Sequence, residues 1–571
     1  MRRLISGFFA SGSSRFSVSR CDGILDATTM NGSIRMTPMN VRRLSGSSFL
    51  ASSAVFFFAG IFSCGWLTAG SAMAQSKGAS EWTTSSYNAA RDAWQRHETK
   101  ITPQNAAKIQ LLWKLKTDNK TMGMQSFREP LIVSGVKTDK GTKTVAIFAG
   151  SANDVYVVDV ETGTMVWQKK LKWASSQPEE AGEGRGFICT NALSATPVIT
   201  PAGAKERVLY VMTTDGYLHL IDPATGEEKD PPVKVLNNVY GKPYGLNLVN
   251  GIVYTITGQG CGGVTNALYA YNTATKKVTV SSPPQGGLWG TAGPAIDSEG
   301  TIYFESGDHP YDAKAGQLST SFQAYTFSND TLKLKDYFTP SNYEWLTKRD
   351  LDMNTTPVVF PYKGRDLLVG GGKEGRFYML DSKSIGGADH QTPLFRSELI
   401  ANANVNFQTE GTWGSFAAWK DKSGTQWVLA PNGGPTTVKF PINYGDTPNG
   451  GIIAFKVEDK DGKPVLTNAW QSGDMMTAEP PVVANGLVFV LAGGEFTGQT
   501  NDEEGGLYSA EDRIKRSKPA KLYVLDAQTG KELYTSGDQI ASFLHQAGLS
   551  VAGGRILFGT FDGTVYCFGI K

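Results

Sequence analysis

A short pattern that recurs along the chain constrains its fold more than any other feature. Residues 156–167 read Tyr-Val-Val-Asp-Val-Glu-Thr-Gly-Thr-Met-Val-Trp, and residues 218–226 and 522–530 repeat the apolar run followed by Asp, Thr and Gly. Alternating apolar residues form a half-buried strand, and Asp and Gly favour the tight turn after it. The pattern therefore predicts a series of β-hairpins.

The repeat occurs eight times, with a mean spacing of about 59 residues. Five weaker copies lie at residues 268–272, 323–326, 377–381, 452–456 and 565–568. Regular β-repeats of this size cannot bury their own faces, and they are typical of a β-propeller with four-stranded antiparallel blades. We therefore predict an all-β fold, an eight-bladed propeller.

The last copy ends close to the C-terminus, so its blade needs a strand from elsewhere in the chain. Residues 109–116, which include Trp113, are the natural donor, and this pairing would close the ring and remove open sheet edges. Trp167 and Trp470 are expected to pack between neighbouring blades. The charged, glycine-rich residues 493–520 predict a surface loop.

Composition agrees with a folded, turn-rich chain. Glycine accounts for 65 of 571 residues, charged residues for 19%, and the net charge is +2. This charge density is too low for a coiled coil, a disordered tail or a basic nucleic-acid-binding protein. We expect no nucleic-acid partner.

The first 74 residues are expected to lie outside the fold. Arg42 and Arg43 precede an apolar run that ends in Ala-Met-Ala before Gln75, which is the pattern of a secretory signal peptide. We assign residues 1–38 to a non-native extension, 39–74 to the signal peptide, 75–100 to a lead segment and 101–571 to one propeller. This predicts a periplasmic or secreted protein with no stable membrane span, although the run is also long enough for an anchor.

Cleavage would leave three cysteines, Cys189, Cys261 and Cys567. An odd number in an oxidising compartment allows at most one disulfide. The sequence has no Cys-x-x-Cys-His run, so we expect no haem attached to this chain.

Residues 159–167 match in full a turn motif, Asp-x-x-Thr-Gly-x-x-x-Trp, that is carried by the eight-bladed propellers of the pyrroloquinoline quinone (PQQ) dehydrogenases. Residues 99–105, 286–291 and 303–308 also resemble segments of that family. The resemblance covers most of residues 95–571. It implies a PQQ cofactor with calcium and oxidation of an alcohol or sugar hydroxyl, but the same repeat occurs in propellers that bind no quinone.

Four positions match residues that lie around the cofactor in this family. Trp289 matches the aromatic floor under the quinone, and Trp413 lies where the family has the tryptophan of an Asn-Trp pair. Arg185 and Lys373 match cationic donors to the cofactor's oxygens. A flat quinone needs such a floor and such donors. In the alternative interpretation, the tryptophans pack the channel and the cations pair with nearby carboxylates.

Other positions depart from the family pattern. Cys261 stands where the family has a calcium-binding glutamate, and a thiol is a poor calcium ligand, so calcium itself is disfavoured. Asp308 falls on a calcium-binding asparagine and could still hold a cation. Asn342 aligns with the catalytic aspartate, and an amide cannot act as a general base. Glu344 or Asp350 could replace that base.

The family's adjacent cysteine pair is also missing, because the corresponding stretch at residues 178–180 reads Pro-Glu-Glu. Cys189 lies four residues after Arg185, and Cys261 occupies a former ligand position, so both should lie near the central channel. We hypothesise that they form a disulfide there. Cys567 is predicted to be a buried, apolar side chain.

The leading interpretation is an exported PQQ-type dehydrogenase with a divergent site, which oxidises a small molecule and passes electrons to a separate acceptor. The alternative is a cofactor-free propeller that binds protein partners in the cell envelope. Trp289, Arg185 and Lys373 favour a bound ligand, whereas Asn342 and Cys261 favour the scaffold.

Overall fold

A computed structural model describes residues 80–176, 188–501 and 505–571. These residues form eight β-sheets that follow one another along the chain as the blades of a propeller. The predicted eight-bladed, all-β fold is confirmed, and each of the eight sequence repeats falls on the third strand of one blade. The predicted signal peptide and Arg185 lie outside the described residues.

Blades 1 to 4 contain strands that pair in an antiparallel manner. Blade 1 consists of Leu131–Thr138, Gly141–Ala149, Asp154–Asp159 and Met165–Lys170. Blade 2 consists of Val198–Ile199, Leu209–Met212, Tyr217–Ile221 and Glu228–Lys234. Blade 3 consists of Asn247–Val249, Ile252–Ile256, Leu268–Asn272 and Val278–Val280. Blade 4 consists of Gly287–Trp289, Ala295–Ile296, Ile302–Gly307, Ser321–Ser328 and Thr331–Phe338.

Blades 5 to 8 follow the same plan, with short additions that pair in parallel. Blade 5 consists of Val358–Tyr362, Arg365–Gly371, Phe377–Asp381 and Phe395–Arg396. Blade 6 consists of Ala417–Lys420, Gln426–Asn432, Gly451–Lys460, Lys463–Gln471 and the parallel Ile442–Asn443. Blade 7 consists of Val482–Ala484, Leu487–Ala492, Lys521–Asp526, Glu532–Thr535 and the parallel Trp94–Gln95. Blade 8 consists of Ser550–Ala552, Arg555–Gly559, Thr564–Gly569 and Gln110–Lys116.

Short elements connect the blades. Two α-helices are present in the described residues, α1 (Tyr343–Thr347) and α2 (Ala510–Arg516). Two minor sheets pair Thr355–Thr356 with Gly414–Ser415 and Thr500–Asn501 with Gly506–Leu507. The remaining elements are single turns of 3-10 helix at Ala106–Lys108, Cys261–Gly263, Ala313–Ala315 and Gly387–Asp389. No helix in the described part of the chain is long and apolar enough to cross a membrane.

The ring is closed by the strand donor expected from the sequence. Gln110–Lys116 pairs antiparallel with Thr564–Gly569, and Trp113 lies opposite Cys567. Cys567 is fully buried, as predicted. Because the last blade takes its fourth strand from the N-terminal side of the chain, both ends of the fold are held in one sheet.

A tryptophan near the end of a blade can form a hydrogen bond to the following blade. The indole nitrogen of Trp167 donates to the carbonyl of Pro223 (3.0 Å), and that of Trp470 donates to the carbonyl of Ala527 (3.1 Å). Both acceptors lie in the Asp-to-Gly turn of the following blade, where Gly530 has φ +73° and packs against the Trp470 ring. The predicted inter-blade packing of Trp167 and Trp470 is confirmed.

Candidate functional site

A cavity of about 900 Å³ lies between the blades. Blades 2 to 8 contribute to its wall in a regular way, through the segment before the first strand or after the second strand of each blade. Such segments are turns, and their side chains are therefore free to point towards the axis rather than into the inter-blade core. The lining residues include Lys242, Trp289, Asp308, Lys373, Trp413 and His545.

Three carboxylates meet at one side of this cavity. Asp308 follows strand Ile302–Gly307, and Asp350 and Asp352 follow helix α1. One carboxylate oxygen from each lies within 4.8 Å of the others. The backbone N–H of Asp308 also donates to Asp352 Oδ1 (3.1 Å), which ties the two segments together. Carboxylate oxygens are the donors that hard cations prefer.

The backbone is shaped so that these carboxylates can approach. Asp308 and Asp350 both adopt left-handed φ values, of 59° and 56°, a conformation that is strained for residues other than glycine and that clusters at functional sites. A Cβ on Gly307 would lie 2.2 Å from Asp352 Oδ1, so glycine is required next to Asp308. The left-handed backbone at Asp308 and Asp350 and the absence of a side chain at Gly307 therefore allow the carboxylates to come together.

Lys373 is the counter-ion of the cluster. Its Nζ lies 2.6 Å from Asp352 and 3.2 Å from Asp350, and its side chain is only 6% exposed. Burial lowers the pKa of Lys373, but the charges of Asp352 and Asp350 more than offset this, so the pKa is raised and the ammonium stays charged. Burial raises the pKa of Asp308, and the charge of Asp352 raises it further. One ammonium against three carboxylates leaves the cluster short of positive charge.

Two tryptophans lie in the same cavity wall. Trp289 ends the first strand of blade 4 and packs against Tyr244, with ring centroids 6.3 Å apart. Trp413 lies 5.4 Å from Lys373 Nζ, and its indole nitrogen donates to the carbonyl of Glu410. Cations over an aromatic face are stabilised by its quadrupole. One cavity thus contains four residues that come from different blades or connections and that were predicted from the sequence: Trp289, Lys373, Trp413 and Asp308.

The hypothesised disulfide between Cys189 and Cys261 is present, with a Cα–Cα distance of 5.4 Å. Both cysteines are buried behind the wall, and their neighbours Ile188 and Gly260 line the cavity. Cys261 therefore joins two segments of the cavity wall through the disulfide, and its sulfur is not available as a thiolate ligand for a metal.

Asn342, at the family's base position, and Glu344, one of the two substitutes considered for that base, are not among the described residues that line the cavity. Asn342 precedes helix α1 and donates its amide to Glu374 Oε1 (2.9 Å), and Glu344 lies exposed on the helix. Asp350, the other substitute, follows α1 and does line the cavity. The sequence feature that could have indicated this carboxylate cluster is the spacing of two residues between Asp350 and Asp352.

A second polar cluster was not predicted from the sequence. His545 Nδ1 lies 2.7 Å from Glu495 Oε2, and Arg513 donates to Glu495 Oε1 (2.6 Å). Glu479 lies close by, and burial together with the charge of Glu495 raises its pKa to about 8. Glu479, Glu495, Arg513 and His545 all line the cavity.

The prediction that residues 493–520 form a surface loop is wrong for part of that segment. Glu495, Phe496 and Arg513 reach the cavity, and Gln408 holds the segment through hydrogen bonds to Gln499 and Thr500. Charge and glycine content indicate exposure only on average, and pairing in a buried ion pair such as Arg513–Glu495 offsets part of the cost of burying the two charges.

The comparison with known protein families agrees with this architecture. The family model described as PQQ: Glucose/ethanol/alcohol dehydrogenase, beta-propeller domain, matches residues 82–230, which hold blade 1 and most of blade 2. The chain has a PQQ-type β-propeller fold. No curated protein matches the sequence significantly.

Solved structures extend the similarity of the PQQ-type propeller to 86% of the chain. A quinohemoprotein alcohol dehydrogenase from Pseudomonas putida HK5 superposes with a TM-score of 0.55 at 16% identity, over 80% of its own chain. A europium-containing methanol dehydrogenase has a TM-score of 0.52 at 13% identity, over 99% of its chain. A quinohemoprotein alcohol dehydrogenase from Comamonas testosteroni gives 0.50 at 14%, over 80% of its chain. At these identities the likeness concerns the fold.

Proposed function

We propose that this propeller is a quinone-dependent dehydrogenase, which binds PQQ and a hard cation in its cavity and oxidises a hydroxyl group of a small organic molecule. The proposal is carried by one observation. Asp308, Asp350 and Asp352 come within 4.8 Å of one another in a cavity that also holds Trp289 and Lys373. Export and transfer of electrons to a separate acceptor belong to the same proposal.

The residues present fit a hard cation. Three carboxylates offer oxygen donors, and Lys373 neutralises only one of their charges. Calcium accepts such ligands, and a trivalent ion would balance the excess charge more fully. A europium-containing enzyme is among the proteins with the same fold. We therefore propose Asp308 and Asp352 as the principal ligands, although no family-like ligand exists at Cys261.

A flat quinone fits the same wall. Trp289 is half-buried, and its indole nitrogen has no hydrogen-bond partner among the described residues. The indole N–H is thus free to donate to a ligand. Bound PQQ would supply a two-electron oxidant whose carbonyl is polarised by the cation.

The chain's own residues supply the proton chemistry. Asp350 has 46% of its side chain exposed to the cavity and solvent, and it is the one we assign as general base. Lys373 Nζ holds it at 3.2 Å and fixes its direction. As base, Asp350 would remove the proton of the substrate hydroxyl as the hydride leaves the adjacent carbon.

The proposal is tested by titrating the purified full chain with PQQ in the presence of Ca²⁺ or Eu³⁺. Quinone absorbance reports cofactor binding, Eu³⁺ luminescence reports the cation, and dye-linked oxidation of alcohols and sugars reports turnover. We expect the Asp352→Asn variant to lose cation binding and Asp350→Asn to bind PQQ without turnover. Asp538→Asn, at a 99% exposed carboxylate, is the matched control.

Absence of binding at high micromolar PQQ with either cation would overturn the enzyme proposal. In that case the remaining interpretation is the cofactor-free scaffold in the envelope.

A further inference from the structure

Lys242 is a partly buried cation in the cavity that the proposed reaction does not use. It lies in the segment before the first strand of blade 3 and lines the same cavity as Trp289. Its Nζ donates to the carbonyl of Ile188 (3.1 Å) and to Gln259 Oε1 (2.8 Å). Both acceptors are uncharged, so the ammonium has hydrogen bonds but no counter-ion within bonding distance in the described part of the chain.

The surroundings of Lys242 add positive charge. Burial lowers its pKa to about 8, and the charges of Arg128 and Arg513 act in the same direction, while Asp308 opposes them. At neutral pH most of the ammonium is still charged. A buried charge without an ion partner is costly, and such a charge is retained where a ligand needs it.

In the described part of the chain, the acids near Lys242 do not neutralise this side of the cavity. Arg513 and His545 already share the carboxylate of Glu495. The raised pKa of Glu479 keeps that side chain largely protonated at neutral pH. Among the described residues, positive charge therefore exceeds negative charge beside Lys242, whereas the carboxylates Asp308, Asp350 and Asp352 gather at the other cluster of the cavity.

We propose that Lys242 binds a carboxylate group of the molecule that occupies the cavity. The inference rests on the proposed function and deepens it, because it gives the ligand an anionic end in addition to the hydroxyl or quinone oxygen at the aspartate cluster. The carboxylate comes either from the cofactor, since PQQ is a polycarboxylic acid, or from a hydroxy-acid substrate. Lys242 acts as a positioning group and takes no part in bond making.

The first measurement uses the empty full-length protein. Lys242→Met has a similar length without the charge, so its melting temperature is expected to equal or exceed that of the wild type. Lys242→Gln keeps a hydrogen-bond donor and serves as a second variant if the first folds poorly. Lys234→Met, at an exposed lysine of blade 2, is the matched control.

The second measurement compares each carboxylate-bearing ligand with a counterpart that has no free carboxylate. PQQ is titrated against its trimethyl ester by quinone absorbance, and gluconate is titrated against glucose by calorimetry. If the cofactor supplies the carboxylate, Lys242→Met weakens PQQ binding at least tenfold and leaves binding of the ester unchanged. If the substrate supplies it, the same loss is confined to gluconate.

Equal affinity of wild type and Lys242→Met for both PQQ and gluconate would overturn the inference while leaving the dehydrogenase proposal intact. The inference is also overturned if the wild type binds neither PQQ nor gluconate. Lys242-dependent binding of gluconate without any binding of PQQ would support the inference and reject the quinone.

Discussion

Like charges held close together are the main feature of the site at the scale of single residues. Asp308 and Asp352 are brought together because residue 307 has no side chain. Carboxylates in such proximity repel one another, and a bound cation converts that repulsion into attraction. The cluster is thus preorganised for a cation.

Gly307→Ala is expected to disrupt cation binding without unfolding the protein. The new Cβ would lie 2.2 Å from Asp352 Oδ1 and would push that carboxylate away from Asp308. We expect Eu³⁺ affinity, measured by luminescence, to fall at least tenfold. Gly473→Ala is the control, since its nearest neighbour would be 3.8 Å away. Unchanged Eu³⁺ binding in Gly307→Ala would contradict the assigned ligands.

Glu479 predicts a pH dependence of stability. Its pKa in the folded protein is about 8, against an ordinary value of 4.5. Between these values the folded protein holds a proton that the unfolded chain has released, so the free energy of unfolding falls as pH rises. The loss is at most about 1.4 kcal/mol per pH unit over that interval.

Glu479→Gln should remove this contribution, so that wild type loses stability relative to the variant between pH 5 and pH 8. Thermal melts across that range measure the difference, and Glu344→Gln, at an exposed carboxylate, is the control. Parallel curves for wild type and Glu479→Gln would show that Glu479 is not held protonated.

At the scale of the element, the contact that stabilises neighbouring blades is the packing of a tryptophan from one blade on the turn of the next. Trp470 is completely buried against Gly530, where an added Cβ would lie 2.4 Å from the ring. We expect Trp470→Ala to lower the free energy of unfolding by about 3 to 5 kcal/mol, the usual cost of removing a large buried aromatic side chain. Trp345→Ala, at a partly exposed ring, should have little effect in the same urea titration.

The disulfide joins two connections that frame the cavity wall. Cys189 and Cys261 are 72 residues apart, and closing a loop of that length stabilises the folded state by about 4 kcal/mol in the chain-entropy treatment. The double variant Cys189→Ser, Cys261→Ser should melt at lower temperature and should bind PQQ more weakly, because Ile188 holds Lys242.

Cys567→Ala provides the control for loss of a cysteine outside the disulfide. If the double serine variant matched the wild type in both melting temperature and PQQ affinity, the disulfide would not be supporting the wall.

At the scale of the whole molecule, the propeller depends on one closing strand. Thr564–Gly569 pairs with Arg555–Gly559 on one side and with Gln110–Lys116 on the other. A chain that ends after Gly559 would expose both neighbouring edges. We expect it to aggregate or to lose cooperative unfolding, as followed by size-exclusion chromatography with light scattering and by thermal melts.

A chain that lacks only Lys571, which is exposed, is the control and should remain soluble and cooperative. A soluble, cooperatively folding product of the longer truncation would show that the ring does not need to be closed.

Much of the ring was predictable from the sequence because it is built from local chemistry. The turn that starts at Asp159 is formed within a few residues, since its carboxylate accepts from the N–H groups of Glu161 and Thr162. The docking of Trp167 and Trp470 follows from the same repeat. Even the closing strand could be predicted, because a blade with a missing strand must take one from the other end of the chain.

The site was predictable only in part, because its residues come from connections that have no repeat. Trp289, Lys373, Trp413 and Asp308 were predicted through family resemblance, and they share the cavity. Asp352 has only the weak signal of its spacing from Asp350, and Lys242 and the Glu495–His545 pair have none in the sequence. Whether such residues face the axis depends on how each connection turns after its strand, and helix α1 shows this, since it excludes Asn342 and admits Asp350.

The sequence by itself thus determined the number of blades, their turns and the way in which the ring closes, since these depend on contacts between neighbours in the repeat. Only the tertiary structure decided which charged side chains meet. Interactions between Asp308 and Asp352, or between Lys242 and Ile188, join connections of different blades. Their electrostatics depend on distance and burial, which exist only once the ring has formed.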